Sequence, residues 1–181
     1  MEYRDASGGA ILASRRPARE CLRDHIVNEI APRVPATSWR EADEVPLRYT
    51  TDIQTLVLCC LPHCTGDTTA RDAVYVLECL HNSGHATTAL QELGKHNPRW
   101  AKAQSADRLL YVGVAKNLLR RLNQHLNDPG GAGAHFTTVF PPIRILDVSW
   151  YRNHLLAGLA ERMLARELRK RFEDDYVSQP G

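Results

Sequence analysis

The apolar run Leu109-Leu110-Tyr111-Val112-Gly113-Val114 gives way to Ala115-Lys116-Asn117, beyond which Leu118, Leu122 and Leu126 recur every four residues. The spacing of apolar residues changes from that of a strand to that of a helix across a few positions. The stretch therefore reads as strand, tight turn and amphipathic helix, with Asn117 as N-cap. On that helix Arg121 and His125 are four residues apart, on a stripe about 100° round from the leucines. A guanidinium and an imidazole thus stand side by side at the rim of a buried face. Such a rim can hold a phosphate, and it is equally the ordinary solvated edge of a helix.

Composition limits what such a unit belongs to. With 181 residues, 43% hydrophobic and 24% charged, the chain can bury one good core and a small appendage, but not two large domains. Charge is unevenly spread. Residues 1–70 carry 8 Lys and Arg against 10 Asp and Glu, and residues 71–181 carry 15 against 11. The basic part contains the strand and helix just described, which suits a polyanionic partner. No run approaches the ~18 apolar residues of a membrane span, and the first residues lack the order of a signal peptide. A cytoplasmic protein that does not enter membranes is the expectation. Five cysteines, an odd number, point to reduced thiols. Cys59, Cys60, His63 and Cys64 cluster, but a second half-site at zinc-knuckle spacing is missing, so buried strand cysteines are the simpler reading.

Leu22, Ile26 and Ile30 recur in fours before Pro32, predicting a short helix over about Ala18 to Ile30. Pro35 to Pro46 is turn-rich, and Ile53 to Leu61 reads as a buried strand. Residues 1–70 form an extension that can cap the rest, add an edge strand or bind a partner. Ala73 to Leu80 is a strand rich in β-formers. His81 to Asp107 separates it from the next one, with a short helix expected over Ala86 to Leu93 and basic side chains beside Trp100. Asp128 to Ala134 is a glycine-rich loop, and Pro141 to Val148 alternates as a third strand. The final helix, about His154 to Phe172, sets Glu161 among His154, Ala157, Leu164, Ala165, Leu168 and Phe172 on the helical wheel, with Arg162, Arg166, Arg169 and Lys170 opposite. A carboxylate on an apolar face costs several kcal/mol unless it is paired or binds a metal. A salt bridge to Arg121 is one such pairing.

Together these pieces resemble the GIY-YIG nuclease family. Tyr111-Val112-Gly113, then a helix bearing Arg121 and, four residues later, His125, is similar to the family's second strand and central helix. Tyr75 stands at the Tyr of the Gly-Ile-Tyr strand, with Ala73 where Gly is usual. Glu161 stands where the helix after the third strand supplies one Glu, and Glu167 falls away from the apolar stripe. The resemblance spans Ala73 to about Phe172. Its two departures are Ala73 and the 36-position step from Tyr75 to Tyr111, where the family has a short hairpin.

The resemblance implies an α+β fold: a small three-stranded antiparallel sheet flanked by helices over residues 71–175, preceded by the extension 1–70. It implies a metal-dependent endonuclease hydrolysing DNA phosphodiester bonds. The catalytic residues would be Tyr75, Tyr111, Arg121 and His125, with Glu161 holding one Mg²⁺ or Mn²⁺ ion. Arg121 would brace the phosphate, either Tyr75 or His125 would take the proton of the attacking water, and the metal and Arg121 would lower the phenol's pKa. The strands of Tyr75 and Tyr111 would be antiparallel neighbours, and the five side chains would converge on one shallow, solvent-reachable surface. The alternative is a catalytically silent nucleic-acid-binding or scaffolding module of the same fold.

Overall fold

The computed structural model describes residues 15–34, 64–66, 70–81, 100–127 and 135–180. In chain order these form α1 (Arg15–His25), continued by a π turn (Ile26–Ile30) and a 3₁₀ turn (Ala31–Arg33). Then come β1 (Cys64–Gly66), β2 (Asp72–Cys79), α2 (Trp100–Ala103), β3 (Leu109–Ala115), α3 (Leu118–Asn127), α4 (His135–Val139), β4 (Pro142–Tyr151), α5 (His154–Arg171) and β5 (Tyr176–Ser178). The expected strand at Ile53 to Leu61, the helix at Ala86 to Leu93 and the glycine loop 128–134 lie outside the described residues.

The α+β class holds, but the sheet has five strands in the order β1-β4-β2-β3-β5 rather than three. The antiparallel core β4-β2-β3 is as the sequence reads. β2 pairs antiparallel with β3 from Ala73 opposite Ala115 to Cys79 opposite Leu109. On the outer edges β1 runs parallel to β4 and β5 parallel to β3. A three-stranded sheet leaves two rows of unpaired backbone groups, and these short strands cover part of them. Each is three residues long, too short to carry an alternating pattern.

Side chains separate onto two faces. One face carries Ala73, Tyr75 and Leu77 of β2 with Leu109 and Tyr111 of β3, covered by α3 and α4 through Leu118, Leu122, Leu126 and Phe136. The other carries Val74, Val76, Leu110 and Val112, covered by Ala157, Ala160, Leu164 and Leu168 of α5 and by Leu22, Ile26 and Ile30 of the α1 segment. All of β2 is buried. The N-terminal extension therefore both caps the sheet and adds a strand to it. Its apolar residues recur every 4.0 positions, whereas an α-helix turns every 3.6, so successive members drift by about 40°. The wider π turn over Ile26–Ile30 absorbs that drift and keeps Ile26 and Ile30 fully buried.

A β-bulge refines the reading of β4. Val76 pairs with Asp147 but Leu77 with Ile145, so one extra residue lies between them and Leu146 and Asp147 both serve the α5 face. There Arg33 reaches across to bond the buried Asp147 carboxylate at 2.6 Å, and Ser149 Oγ donates to its other oxygen at 2.9 Å.

Candidate active site

Tyr75 and Tyr111 lie on the same face of neighbouring strands, diagonal across the pairing of Tyr75 with Gly113. A Cβ at Gly113 would stand 2.6 Å from Cζ and Oη of Tyr75 and 2.7 Å from Cε1 of Tyr111. The glycine is required because the phenols lie directly over its backbone. The two rings are 6.2 Å apart between centroids.

Asn117 caps α3 as expected, accepting from the Arg120 amide at 3.0 Å. That sets the phase of the helix. Leu118, Leu122, His125 and Leu126 face inward and Arg121 sits half-buried at the rim. His125 Nε2 lies 2.7 Å from Tyr75 Oη, and His125 Nδ1 lies 2.7 Å from Thr137 Oγ1 on α4. The ring also meets Tyr111 edge-on at 5.1 Å. Phe136, next to Thr137, stacks on Tyr111 at 6.2 Å, so α4 fixes both the histidine and the second tyrosine.

Burial governs the titration of these groups. Desolvation, aided by the neighbouring Arg121 charge, pushes His125 down to about 3, so the imidazole is neutral at pH 7. A neutral ring has one N–H and one lone pair. In the tautomer whose Nε2 accepts from the phenol, Nδ1–H donates to Thr137, and the other tautomer exchanges both roles. Desolvation raises Tyr75 well above the usual phenol range and lifts Tyr111 to about 12. The Arg121 charge does lower both, but burial outweighs it. Arg121 thus acts in the expected direction, but burial sets the net shift and the proton of Tyr75 stays on oxygen.

Glu161 comes from the opposite layer. It is buried beside Ala157, Ala160, Leu164 and Leu168, as the helical wheel suggests. Its helix starts at a well-formed cap, Asn153 Oδ1 accepting from the Leu156 amide at 2.9 Å. Burial pushes the carboxyl up to about 7 against the opposing pull of Arg162, a Gln179 hydrogen bond and His154. Oε1 is buried with no hydrogen-bond partner. Among the described residues no salt bridge links Glu161 to Arg121, and the cations that pull on it are Arg162 and His154. Glu161 nonetheless faces the same site electrostatically, since its charge raises both Tyr75 and Tyr111.

The structure thus packs Tyr75, Tyr111, Arg121 and His125 into one cluster and sets Glu161 within reach of its field. The cluster is not the shallow, open surface expected. Tyr75, Tyr111 and His125 are at most 2% exposed, because α3 and α4 close over the sheet face on which they stand. Arg121 is the member that meets solvent.

A family model described as the GIY-YIG catalytic domain matches residues 72–174. The chain belongs to the GIY-YIG family. No curated protein and no solved structure gives a significant match to it. Within this GIY-YIG domain the departure at Ala73 is absorbed in the sheet: the residue is fully buried, paired with Ala115 on one side and Trp150 on the other. Thr137 and Gln179 are the polar neighbours that sequence reasoning missed. Thr137 lies in a five-residue helix too short to show periodicity, and Gln179 follows β5, itself invisible in the pattern.

A single orphaned carboxylate oxygen on a carboxyl held at about 7 fits a hard divalent cation, which takes oxygen ligands and keeps most of its waters. Among the described residues no group of three His, Cys, Asp or Glu side chains forms a fuller metal cage. Cys64 is half-buried in β1, and Cys59, Cys60 and His63 lie outside the described residues.

Proposed function

We propose that the chain is a metal-dependent endonuclease that hydrolyses DNA phosphodiester bonds. The observation that carries this reading is the packing of Tyr75, His125 and Thr137 into one hydrogen-bonded chain, beside Tyr111 and the Arg121 guanidinium, in a site that feels the Glu161 charge. A core of hydrocarbon would be more stable here than two buried phenols, an imidazole and two ionisable groups of opposite sign. Polar groups gathered at such cost, on the sheet face next to a half-exposed arginine, suit chemistry on an anion.

Each group has a step. Arg121 binds the scissile phosphate and stabilises the charge that grows on its oxygens. Tyr75 accepts the proton of the attacking water as it gives its own to His125 Nε2, and Thr137 accepts from Nδ1–H of the imidazolium that results. The new P–O bond forms on the water oxygen and the bond to the 3′ oxygen breaks, that oxygen leaving with the bonding pair and taking a proton from solvent water at the Arg121 rim, while His125 later returns its proton to solvent through Tyr75. This relay needs no free phenolate, in keeping with the raised pKa of Tyr75, and it charges His125 only while the bound phosphate offsets Arg121, one of the two causes that hold the imidazole at about 3. Tyr111 orients the phosphate and keeps the imidazole edge-on. Glu161 would hold the Mg²⁺ or Mn²⁺ ion, which supplies positive charge to the phosphate and leaving oxygen when bound.

A second reading, a silent nucleic-acid-binding or scaffolding module, draws on one observation: Tyr75, Tyr111 and His125 are closed to solvent. Nicking of supercoiled plasmid against Mg²⁺ or Mn²⁺ concentration separates the two, with a gel shift run alongside. Metal-dependent nicking by wild type, lost in Arg121→Ala and not restored by more metal, is the expected result. Binding without nicking on duplex, single-stranded and branched DNA would establish the silent module.

A further inference from the structure

On the outer side of α5 a groove runs between that helix and α1. Arg162, Arg166 and Arg169 line one wall, Arg19 and Arg23 the other, over a floor that includes Leu159 and Met163. Among the described residues of the lining, Glu20 is the one carboxylate. All five guanidinium residues are exposed. Arg169 is tied to the Val177 carbonyl at 2.9 and 3.1 Å. Among the described residues no salt bridge engages Arg19, Arg23 or Arg166.

Each wall carries its arginines in a row, Arg19 with Arg23 and Arg162 with Arg166, four residues apart. Like charges at that spacing destabilise a helix, and two such rows face each other here. The rows rise about 6 Å per step, close to every second phosphate of one B-DNA strand at ~3.4 Å per nucleotide. The groove also leads to the site. Gln179 lies in its lining and hydrogen-bonds Glu161, and Arg162 is that glutamate's chain neighbour.

We infer that this groove is the track for the sugar-phosphate backbone of duplex DNA, and that α1, outside the matched catalytic domain, supplies half of it. The inference rests on the DNA reading above. Charge complementarity selects the occupant: five guanidinium groups against one carboxylate suit a regularly spaced polyanion, and the row spacing fits a duplex strand. The N-terminal extension thereby helps hold the substrate as well as capping the sheet.

The test is the salt dependence of binding to a fluorescent 30-base-pair duplex, in a Glu161→Gln background so that cleavage does not interfere. Neutralising one phosphate contact lowers the slope of log K against log salt by about 0.9. Arg19→Gln/Arg23→Gln should flatten the slope by up to about 2 and weaken binding at least tenfold at moderate salt, as should Arg162→Gln/Arg166→Gln. Lys170→Gln, on the same helix but paired with Glu167 at 3.3 Å, should leave the slope unchanged. Melting curves check that each variant is folded. An unchanged slope in both double variants, or an equal loss in Lys170→Gln, would overturn the inference, as would tighter retention of an acidic polypeptide than of duplex at equal salt. Failure of the nuclease reading looks different: wild type fails to nick while the slope still responds to the arginines.

Discussion

At the scale of single residues Glu161 stands apart, a carboxyl held at about 7 by burial. Its unfolded-state pKa is ~4.3, so the folded chain binds the proton more tightly. The sign follows: native stability is favoured below the unfolded value, falls as pH rises from about 4.3 to about 7, and stays reduced above that. Glu161→Gln should therefore melt at a higher temperature than wild type at pH 8 without metal, and the gap should shrink toward pH 4.5. Added Mg²⁺ should raise the wild-type melting temperature at pH 8 and leave the variant unmoved. Nicking by the variant should fall at least a hundredfold, roughly the loss of one strong electrostatic contact. If Mg²⁺ stabilises both proteins equally, Glu161 is not its ligand. Thr137→Val keeps shape and removes the acceptor for His125 Nδ1–H; nicking should drop about tenfold or more while near-ultraviolet circular dichroism stays native. Gly113→Ala puts a methyl 2.6 Å from the Tyr75 ring carbon and oxygen. Overpacking should cost about 1–3 kcal/mol in urea titration, and an unchanged midpoint would mean that the phenols can move aside freely.

At the scale of elements, what the sequence shows depends on length. β2, β3, α3 and α5 are long enough for their periods to appear, and the two central strands pair antiparallel as expected, in a register that sets Tyr75 opposite Gly113. The edge strands and α4 are three to five residues long and carry no period, which is why the sheet gained two strands and why Thr137 escaped notice. The bulge in β4 is a different kind of omission. Strict alternation would put Leu146 and Asp147 on opposite faces, and only the shifted pairing with β2 brings both to one. That bulge creates the contact between Arg33 and Asp147, whose carboxyl burial lifts to about 6 despite the arginine and Ser149. Arg33→Ala should then cost about 1–3 kcal/mol at pH 8, because it leaves a buried carboxylate with less compensation. The cost should shrink as pH falls toward about 6, where the carboxyl takes up its proton, and level off below that. Arg33→Ala/Asp147→Asn should recover most of the loss. A cost independent of pH would mean that Arg33 acts through packing alone.

At the scale of the whole molecule, the family match begins at Asp72, yet the core does not. Leu22, Ile26, Ile30 and Val34 are buried with Val74, Val76, Leu110 and Val112 of the sheet and with the inner face of α5. Arg171 at the end of α5 donates to the Ala31 carbonyl, and Arg33 reaches the buried Asp147. The sequence could place the helix but not its berth, since an amphipathic stripe says that one face is buried and not against what. Full burial of a large aliphatic side chain is worth about 1.5–3 kcal/mol, so four of them contribute a sum comparable with the ~5–15 kcal/mol net stability of an ordinary domain. Residues 35–181 expressed alone should accordingly lose cooperative melting and bind a hydrophobic dye, even though the whole matched domain is retained. Calorimetry and dye fluorescence on the truncated and full chains make the comparison. The arginine variants of α1, which leave its apolar face intact, should melt like wild type and so separate loss of charge from loss of core. A truncated chain that melts cooperatively within a few degrees of the full one would make α1 a dispensable cap, and the catalytic domain self-sufficient from β2 onward.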